Sequence, residues 1–300
     1  MEKKKVALIG STSFLVSNLA PFLKSDEYLL SFFGRKPNAD FPNAEFHLFD
    51  YPQAPLNFEM LLQKDIIVFA SSLGVQHGQN DPADHIYDVN AFLPSKLLLY
   101  LENNNFKGGI FTFGSYAEIG KNALENTSFS EEELLNSTFP VANAYAGSKR
   151  VLSHFIHNNS FSFPYYHLIL PTIYGPGENK NRLIPYLING IKNNKEMSLT
   201  QGEQIRQYIY IEELSKLIIE IIKTLPASGI YNVFAAETLK IKEVIEKIFS
   251  RLNGNKNLIQ PNTTREDVAM KSLILNASKL EKIISFKPSV LIEDSIEKYN

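Results

Sequence analysis

A tyrosine and a lysine four positions apart, Tyr145 and Lys149, are the pair in this sequence best suited to proton transfer. On a helix, residues at this spacing lie one turn apart on the same face. A lysine ammonium beside a phenol stabilises the phenolate and lowers the phenol pKa from its usual value of about 10. Such a pair can exchange a proton with an alcohol or ketone oxygen during hydride transfer. The spacing is common by chance, so a solvated helix face is the alternative.

Ser115 is the third candidate for this chemistry. It follows the apolar run 110–113 and a glycine, so it is expected at the end of a strand. Side chains at the carboxyl ends of parallel strands face the crevice in which open α/β sheets bind ligands. Ser115 could therefore hydrogen-bond the same oxygen that Tyr145 protonates. The alternative is a serine that caps a turn or a helix.

The elements around these residues follow a pattern of short apolar runs alternating with segments of helical periodicity. We predict strands at 6–9, 29–33, 46–49, 66–70, 109–113 and 166–170, and helices at 14–23, 86–101 and 143–158. Alternation of this kind predicts an α/β fold, with a doubly wound parallel sheet of the Rossmann type covered by helices on both faces.

The pattern changes after residues 174–177, where the chain becomes more polar. Residues 1–170 are predicted to form a dinucleotide-binding domain, and residues 171–300 a smaller mixed α/β lobe that binds substrate. A helix at 209–224 is expected to bring the chain back to the sheet at about 205–235. No internal repeat is present.

Composition excludes several classes of function. The 300 residues carry a net charge of −2, which provides no electrostatic footprint for nucleic acid or an anionic membrane. The absence of cysteine excludes thiolate nucleophiles and cysteine-ligated metals. The histidines have no metal-ligand spacing, and His167 falls in a predicted core strand. No apolar stretch reaches the ~20 residues needed to cross a bilayer, so we expect a soluble, cytoplasmic protein.

Six blocks resemble, in order and spacing, the extended short-chain dehydrogenase/reductase family, in the branch that modifies nucleotide sugars. The resemblance covers nearly the whole chain. The blocks are 111–120, 145–149, 171–177, 206–214, 276–279 and 286–288. The resemblance implies that Ser115, Tyr145 and Lys149 are catalytic. It also implies that Asn90 supports the active-site helix.

The resemblance implies two sets of ligand-binding residues as well. The cofactor set is Gly10, Thr12, Ser13, Phe14, Leu15, Arg35, Lys36, Asp50, Ala70, Asn90, Tyr145, Lys149 and Pro171. The substrate set is Ser115, Tyr116, Thr172, Arg182, Arg206 and Arg265. The three arginines could bind the diphosphate of a nucleotide sugar, and surface salt bridges are their alternative role.

Two departures from the family pattern bear on the cofactor. The glycine-rich phosphate loop keeps only Gly10, and Ser13 and Val16 stand where the family has glycine. A loop reduced in this way leaves room for a member that has lost cofactor binding. The second strand is followed by Arg35-Lys36 instead of an acidic residue. Two cations would pair with a 2′-phosphate, so we predict NADP(H) over NAD(H), with a solvated basic turn as the alternative.

The residues after Ser115 limit which reaction of this family the chain could catalyse. Family dehydratases carry Asp-Glu directly after the catalytic threonine, where this chain has Tyr116-Ala117. A 4-keto reductase and a 4-epimerase that retains its cofactor both remain. We predict an NADPH-dependent reductase of a nucleotide-linked 4-keto-6-deoxyhexose, acting as a homodimer through the helices at 86–101 and 143–158. The reduced glycine loop also leaves open a non-catalytic family member.

Overall fold

The computed structural model of the chain describes residues 2–75, 81–262 and 270–299. The strands in these ranges are β1 Lys4–Ile9, β2 Tyr28–Gly34, β3 Glu45–Leu48, β4 Ile66–Phe69, β5 Gly109–Ser115, β6 Ser128–Phe129, β7 Tyr165–Leu170, β8 Thr172–Tyr174, β9 Met197–Leu199, β10 Ile205–Tyr210, β11 Gly229–Asn232, β12 Glu237–Lys240, β13 Ile259–Pro261 and β14 Ser272–Leu275. The α-helices are α1 Phe14–Leu19, α2 Ala83–Tyr87, α3 Leu93–Asn103, α4 Glu131–Leu135, α5 Ala144–His157, α6 Leu183–Lys192, α7 Ile211–Thr224, α8 Ile241–Arg251, α9 Ser278–Glu281 and α10 Ile292–Ser295.

The main sheet has seven strands in the order β11-β7-β5-β4-β1-β2-β3, and all of its neighbouring strands are parallel. The chain winds outward in one direction from β1 and in the other from β4, so the order reverses between these two strands. This confirms the predicted doubly wound sheet. Ligands bind such sheets at the carboxyl ends of the strands on either side of the reversal.

Burial explains why short apolar runs become the strands of this sheet. The last four residues of β1 and all four residues of β4 are buried. A strand with helices on both faces has no solvent side, so its sequence is continuously apolar instead of alternating. Separate hydrophobic clusters fill the two faces.

The chain crosses into a second sheet and then returns to the first. β10 pairs with β8, β12 and β14, whereas α7 packs on α1 and β11 adds to the edge of the main sheet beside β7. The prediction missed β10 and began the following helix at 209 instead of at Ile211. Residues 208–211 are all buried, and a fully buried run has no periodicity that separates a strand from a helix.

The helix predicted at 86–101 runs without interruption from Ala83 to Asn103, with one wide π-helical turn at Asp88–Phe92. Such turns are frequent at functional sites. Asn90 lies in this turn. Within the described ranges, no helix is both long and apolar enough to span a membrane.

Candidate active site

Ser115 is the last residue of β5, at the carboxyl edge of the main sheet. A short 3₁₀ turn, Tyr116–Ile119, follows it. The Ser115 hydroxyl accepts a hydrogen bond from the Ala117 N–H at 3.3 Å, and its own N–H donates to Glu118 Oε1 at 2.7 Å. These reciprocal bonds form a capping box, so Ser115 caps the turn while it also faces the crevice.

Tyr145 and Lys149 lie on α5. Asn143 caps the N-terminus of this helix, because its side chain accepts a hydrogen bond from the Ala146 N–H at 2.9 Å. Tyr145 is half-buried, and its phenol is close enough to Ser115 to hydrogen-bond its hydroxyl. Lys149 is buried, and its ammonium lies 5.8 Å from the centre of the Tyr145 ring. The fold therefore brings the three predicted catalytic residues together.

The pKa of Tyr145 differs from the sequence-based expectation that the neighbouring lysine would lower it below about 10. Burial raises the pKa of Tyr145 to about 12, although the Ser115 hydroxyl and the charge of Arg182 oppose that rise. Burial also lowers the pKa of Lys149 to about 8. The Lys149 ammonium donates a hydrogen bond to the Phe113 carbonyl at 2.9 Å. In this arrangement Tyr145 stays protonated at neutral pH, which suits a proton donor.

Asn90 joins the helix to two other segments of the site. Its amide nitrogen donates to Ser148 Oγ at 3.0 Å and to the Leu73 carbonyl at 2.9 Å. Its amide oxygen accepts from the Leu73 N–H at 2.8 Å and from the Ser72 hydroxyl at 3.0 Å. Asn90 thus fixes the loop after β4 against α5. Its contact on α5 is Ser148, the residue before Lys149.

Glu118 is a buried residue of the site that the sequence interpretation missed. No part of its side chain is exposed, and burial raises its pKa to about 7. The signal that could have found it is the spacing Ser115-x-x-Glu118, which is typical of a capping box. Its carboxylate accepts from Ser115 N–H and, at 2.6 Å, from the Ser153 hydroxyl on α5.

The turn after β1 fits a dinucleotide in spite of its missing glycines. Gly10 has φ +97°, and an added Cβ would lie 3.0 Å from the Ala70 backbone at the end of β4, so the tight turn is kept. The Ser13 hydroxyl accepts from the Val16 N–H at 3.2 Å, so its side chain caps α1. The N-terminus of α1 therefore begins at this edge of the sheet, where the orientation of the N–H groups favours an anion.

Arg35 and Lys36 follow β2 and are both exposed. Their loop is fastened to the turn after β1, because the Ser11 hydroxyl donates to the Lys36 carbonyl at 2.6 Å. The Asn38 amide donates to the Ser11 carbonyl at 3.0 Å. An added Cβ on Gly34 would lie 2.1 Å from Ser11 Oγ, so the two loops pack tightly. The two cations are thus held beside the turn that would receive the cofactor phosphates.

The other predicted cofactor residues occupy the same edge of the sheet. Asp50 lies just beyond β3 and forms a bridge with Ala54, and Pro171 is buried between β7 and β8. Thr12 is exposed, Phe14 is half-buried and Leu15 is buried at the start of α1. Because the strands are parallel, residues distant in sequence meet along one edge.

The predicted substrate residues fall on both sides of the crevice. The Tyr116 and Thr172 hydroxyls hydrogen-bond each other at 2.5 Å, which ties the turn after β5 to β8. Arg182 forms an ion pair with Glu178 at 3.3 Å, and its positive charge lowers the pKa of the Tyr145 phenol, against the effect of burial. Arg206 lies on β10. Its guanidinium donates to the Ile205 carbonyl at 2.7 Å.

Tyr208, a buried residue of β10, lies near Tyr116, Arg182 and Arg206. Burial raises its pKa, and Arg206 and Arg182 both oppose that rise. The two arginines therefore lie near the same phenol, which in turn lies near Tyr116. Arg265 lies outside the described residues. Within the described ranges, no group of three or more His, Asp and Glu side chains could hold a metal ion.

Comparison with known proteins agrees with this geometry. The model of the NAD dependent epimerase/dehydratase family matches residues 6–233. The chain is 23% identical to a CDP-abequose synthase from Salmonella muenchen, over 98% of this chain and 96% of the relative. It is 26% identical to a dTDP-4-dehydro-6-deoxyglucose reductase from Escherichia coli, over 42% of this chain and 40% of the relative.

The fold also has counterparts among solved structures. A dTDP-glucose 4,6-dehydratase from Bacillus anthracis, solved in complex with NAD, superposes with a TM-score of 0.78. The alignment covers 98% of this chain and 94% of the dehydratase, at 18% sequence identity. At that identity the likeness establishes the fold alone.

Proposed function

Because the chain belongs to the NAD dependent epimerase/dehydratase family of nucleotide-sugar enzymes, we propose that it is an NADPH-dependent reductase of a nucleotide-activated 4-keto-6-deoxyhexose. The observation that carries this proposal is the contact between Ser115 and Tyr145 at the carboxyl edge of the sheet, with Lys149 behind them. A hydroxyl, a phenol and an ammonium in this order are what reduction of a ketone requires.

In the proposed reaction, a bound nicotinamide cofactor would supply the hydride. Tyr145 gives its proton to the ketone oxygen as that oxygen becomes a hydroxyl, and Ser115 donates a hydrogen bond that stabilises the developing negative charge. The Lys149 ammonium stabilises the phenolate left behind. The Tyr145 phenol is protonated at neutral pH, and burial raises its pKa further, to about 12, so the phenol begins each turnover in the form that the reduction consumes.

NADP(H) is the cofactor we propose, on the strength of Arg35 and Lys36. Two exposed cations in a loop fastened to the turn after β1 can pair with a 2′-phosphate. The residues that would hold the rest of the cofactor are the remaining predicted ones at this edge of the sheet: Gly10, Thr12, Ser13, Phe14, Leu15, Asp50, Ala70, Asn90 and Pro171.

The substrate proposal draws on the residues of the second sheet and on the relatives. Arg182 and Arg206 lie near Tyr208 of the second sheet, where they could neutralise a diphosphate. One relative is named a reductase of dTDP-4-dehydro-6-deoxyglucose, and another, matched over nearly its full length, a CDP-abequose synthase. Both names support an activated deoxy sugar as the substrate class.

The proposal is tested with a panel of CDP-, dTDP-, UDP- and GDP-linked 4-keto-6-deoxyhexoses. Each is incubated with the protein and NADPH, and the loss of NADPH absorbance is followed. We expect consumption with at least one sugar and a product reduced at C4. A 4-epimerase would instead convert a nucleotide sugar without added NADPH, and a non-catalytic protein would neither consume NADPH nor bind it in calorimetry.

A homodimer is the assembly we propose. α3 packs against α5, and the exposed apolar side chains Phe92, Leu99 and Val151 lie on or directly beside these helices. A second copy of the same face would cover them. Light scattering should report a dimer that Leu99→Glu with Val151→Glu converts to a monomer, whereas Leu124→Glu, in a loop, should leave it intact. The predicted cytoplasmic location stays a prediction.

A further inference from the structure

A chain of four buried polar side chains begins at Glu118, which accepts a hydrogen bond from the Ser115 N–H. Glu118 accepts from the Ser153 hydroxyl at 2.6 Å, and Ser153 Oγ lies 2.9 Å from His167 Nε2. His167 Nδ1 lies 2.7 Å from Thr112 Oγ1. Ser153, His167 and Glu118 are fully buried, and Thr112 is nearly so. The proposed hydride transfer uses none of the four.

Burial keeps the His167 ring neutral, and the hydrogen bonds of this chain then select its tautomer. Ser153 has a single hydroxyl proton, which it donates to the Glu118 carboxylate. Ser153 Oγ must then accept from His167 Nε2–H, which leaves Nδ1 to accept from the Thr112 hydroxyl. The neutral ring follows from burial, which lowers the pKa of His167 to about 3.

Gly114 shows how tightly the chain is packed against the strand end. A Cβ added to Gly114 would lie 2.7 Å from Glu118 Oε1 and 2.9 Å from His167 Nε2. A side chain at position 114 would therefore collide with both Glu118 and His167, so this position requires glycine. The Glu118 carboxylate is built into the site at the end of β5 and is more than a surface cap.

We propose that Glu118 is a positioning residue for the active site: its buried carboxylate fixes the Ser115 backbone and supplies the negative charge that keeps Lys149 an ammonium ion. This inference rests on the proposed function only for its consequence in catalysis. The charged and titratable groups around the carboxylate are Lys149, Arg150 and Tyr145 on α5 and His167 on β7.

The charge of Glu118 acts in the same direction on both members of the catalytic pair. It opposes the effect of burial on the Lys149 pKa, which burial has lowered to about 8, and it contributes to the raised pKa of Tyr145. Without the charge, both groups would lose their protons at lower pH.

Glu118→Gln separates charge from packing. The glutamine oxygen can accept from Ser115 N–H, and its amide can donate to Ser153 Oγ. Ser153 then donates to His167 Nε2, and the other tautomer of His167 donates to Thr112. Every bond is therefore kept: the Ser115 N–H still donates, and the three bonds from residue 118 to Thr112 reverse their direction. Glu133→Gln is the matched control, because Glu133 forms the same capping box with Ser130 but is exposed.

The decisive measurement needs neither substrate nor cofactor. Trace acetylation by acetic anhydride modifies only the neutral amine, and peptide mass spectrometry follows Lys149 as a function of pH, relative to the exposed Lys96. We expect the half-reaction pH of Lys149 to fall by about one unit in Glu118→Gln, which is about a tenfold gain in reactivity below the wild-type midpoint. Glu133→Gln should match the wild type.

An unchanged Lys149 midpoint in Glu118→Gln would overturn the proposal. A Glu118→Gln chain that fails to fold at pH 8 would also contradict it, because the amide retains each hydrogen bond and relieves a buried charge. In catalysis, the alkaline limb of kcat/KM for ketone reduction should move to lower pH by the same amount. A shifted midpoint in a protein that reduces no nucleotide sugar would leave this inference standing and reject the proposed function alone.

Discussion

The Asn90 amide donates a hydrogen bond to the Ser148 hydroxyl across 3.0 Å, and so fastens the wide turn of the helix at Ala83–Asn103 to the helix that carries Tyr145 and Lys149. The Ser148 hydroxyl in turn donates to the Tyr145 carbonyl at 2.8 Å. Since Asn90 also bonds the Leu73 backbone twice, one amide sets the distance between the loop after β4 and the catalytic helix.

Replacing Asn90 with leucine should destabilise the protein and slow it. The change removes hydrogen bonds from the half-buried backbone of Leu73 and from the buried Ser148 hydroxyl, and each buried unsatisfied group costs about 1–3 kcal/mol. We expect urea unfolding to report a loss of at least about 2 kcal/mol. Asn104→Leu is the control, because exposed Asn104 bonds only its own helix, at the Tyr100 carbonyl. Equal stability of the two variants would contradict this role for Asn90.

Replacing Tyr145 with phenylalanine should remove the proton donor without disturbing the fold. We expect turnover in the reductase assay to fall by about 10²–10⁴-fold, the usual contribution of general acid catalysis. The circular dichroism spectrum should be unchanged. Tyr100→Phe, on α3, is the control and should keep full activity. Activity within a few-fold of the wild type in Tyr145→Phe would rule out the proposed role.

Removing the cations after β2 should weaken selectivity for NADPH. We expect Arg35→Ser with Lys36→Ser to raise the KM for NADPH by about 10- to 100-fold, since hydrogen bonds to a charged group contribute about 1.5–3 kcal/mol. The KM for NADH should change little, because NADH has no 2′-phosphate. Lys282→Ser, at an exposed lysine after α9, provides the comparison. A wild-type preference for NADH would reject the cofactor proposal.

His167 should make the stability of the protein depend on pH in the acid range. Its pKa in the folded chain is lowered to about 3, mainly by burial, whereas the unfolded value is near 6.5. Between these values the unfolded chain binds a proton that the folded chain does not. This contribution to the free energy of unfolding is therefore complete above pH 6.5 and is lost as the pH falls, by up to about 1.4 kcal/mol per unit.

The measurement is urea unfolding of the wild type and of His167→Asn at pH 7, 6 and 5. The wild type should lose stability relative to the variant as the pH falls, and Glu118 is present in both proteins. His157→Asn, at an exposed histidine, should follow the wild type at every pH. A constant difference between the wild type and His167→Asn would show that His167 is protonated equally in both states.

The sequence by itself determined the sheet and identified the pair that we propose as catalytic. Short, β-branched apolar runs such as 66–69, alternating with helical segments, are typical of a sheet covered on both faces, and helical geometry alone puts Tyr145 one turn from Lys149. The resemblance of ordered blocks added Ser115 and Asn90. These conclusions depend on local spacing or on recurring motifs, which a single chain displays without its fold.

The tertiary structure decided what surrounds those residues. Glu118, Ser153 and His167 come from a turn, a helix and a strand, and their mutual burial exists only once β7 and α5 enclose the end of β5. The high pKa of Tyr145 and the low pKa of Lys149 follow from the same enclosure. Solvent exposure and charge partners depend on residues far apart in sequence, so no local pattern could specify them, or distinguish β10 from the helix that follows it.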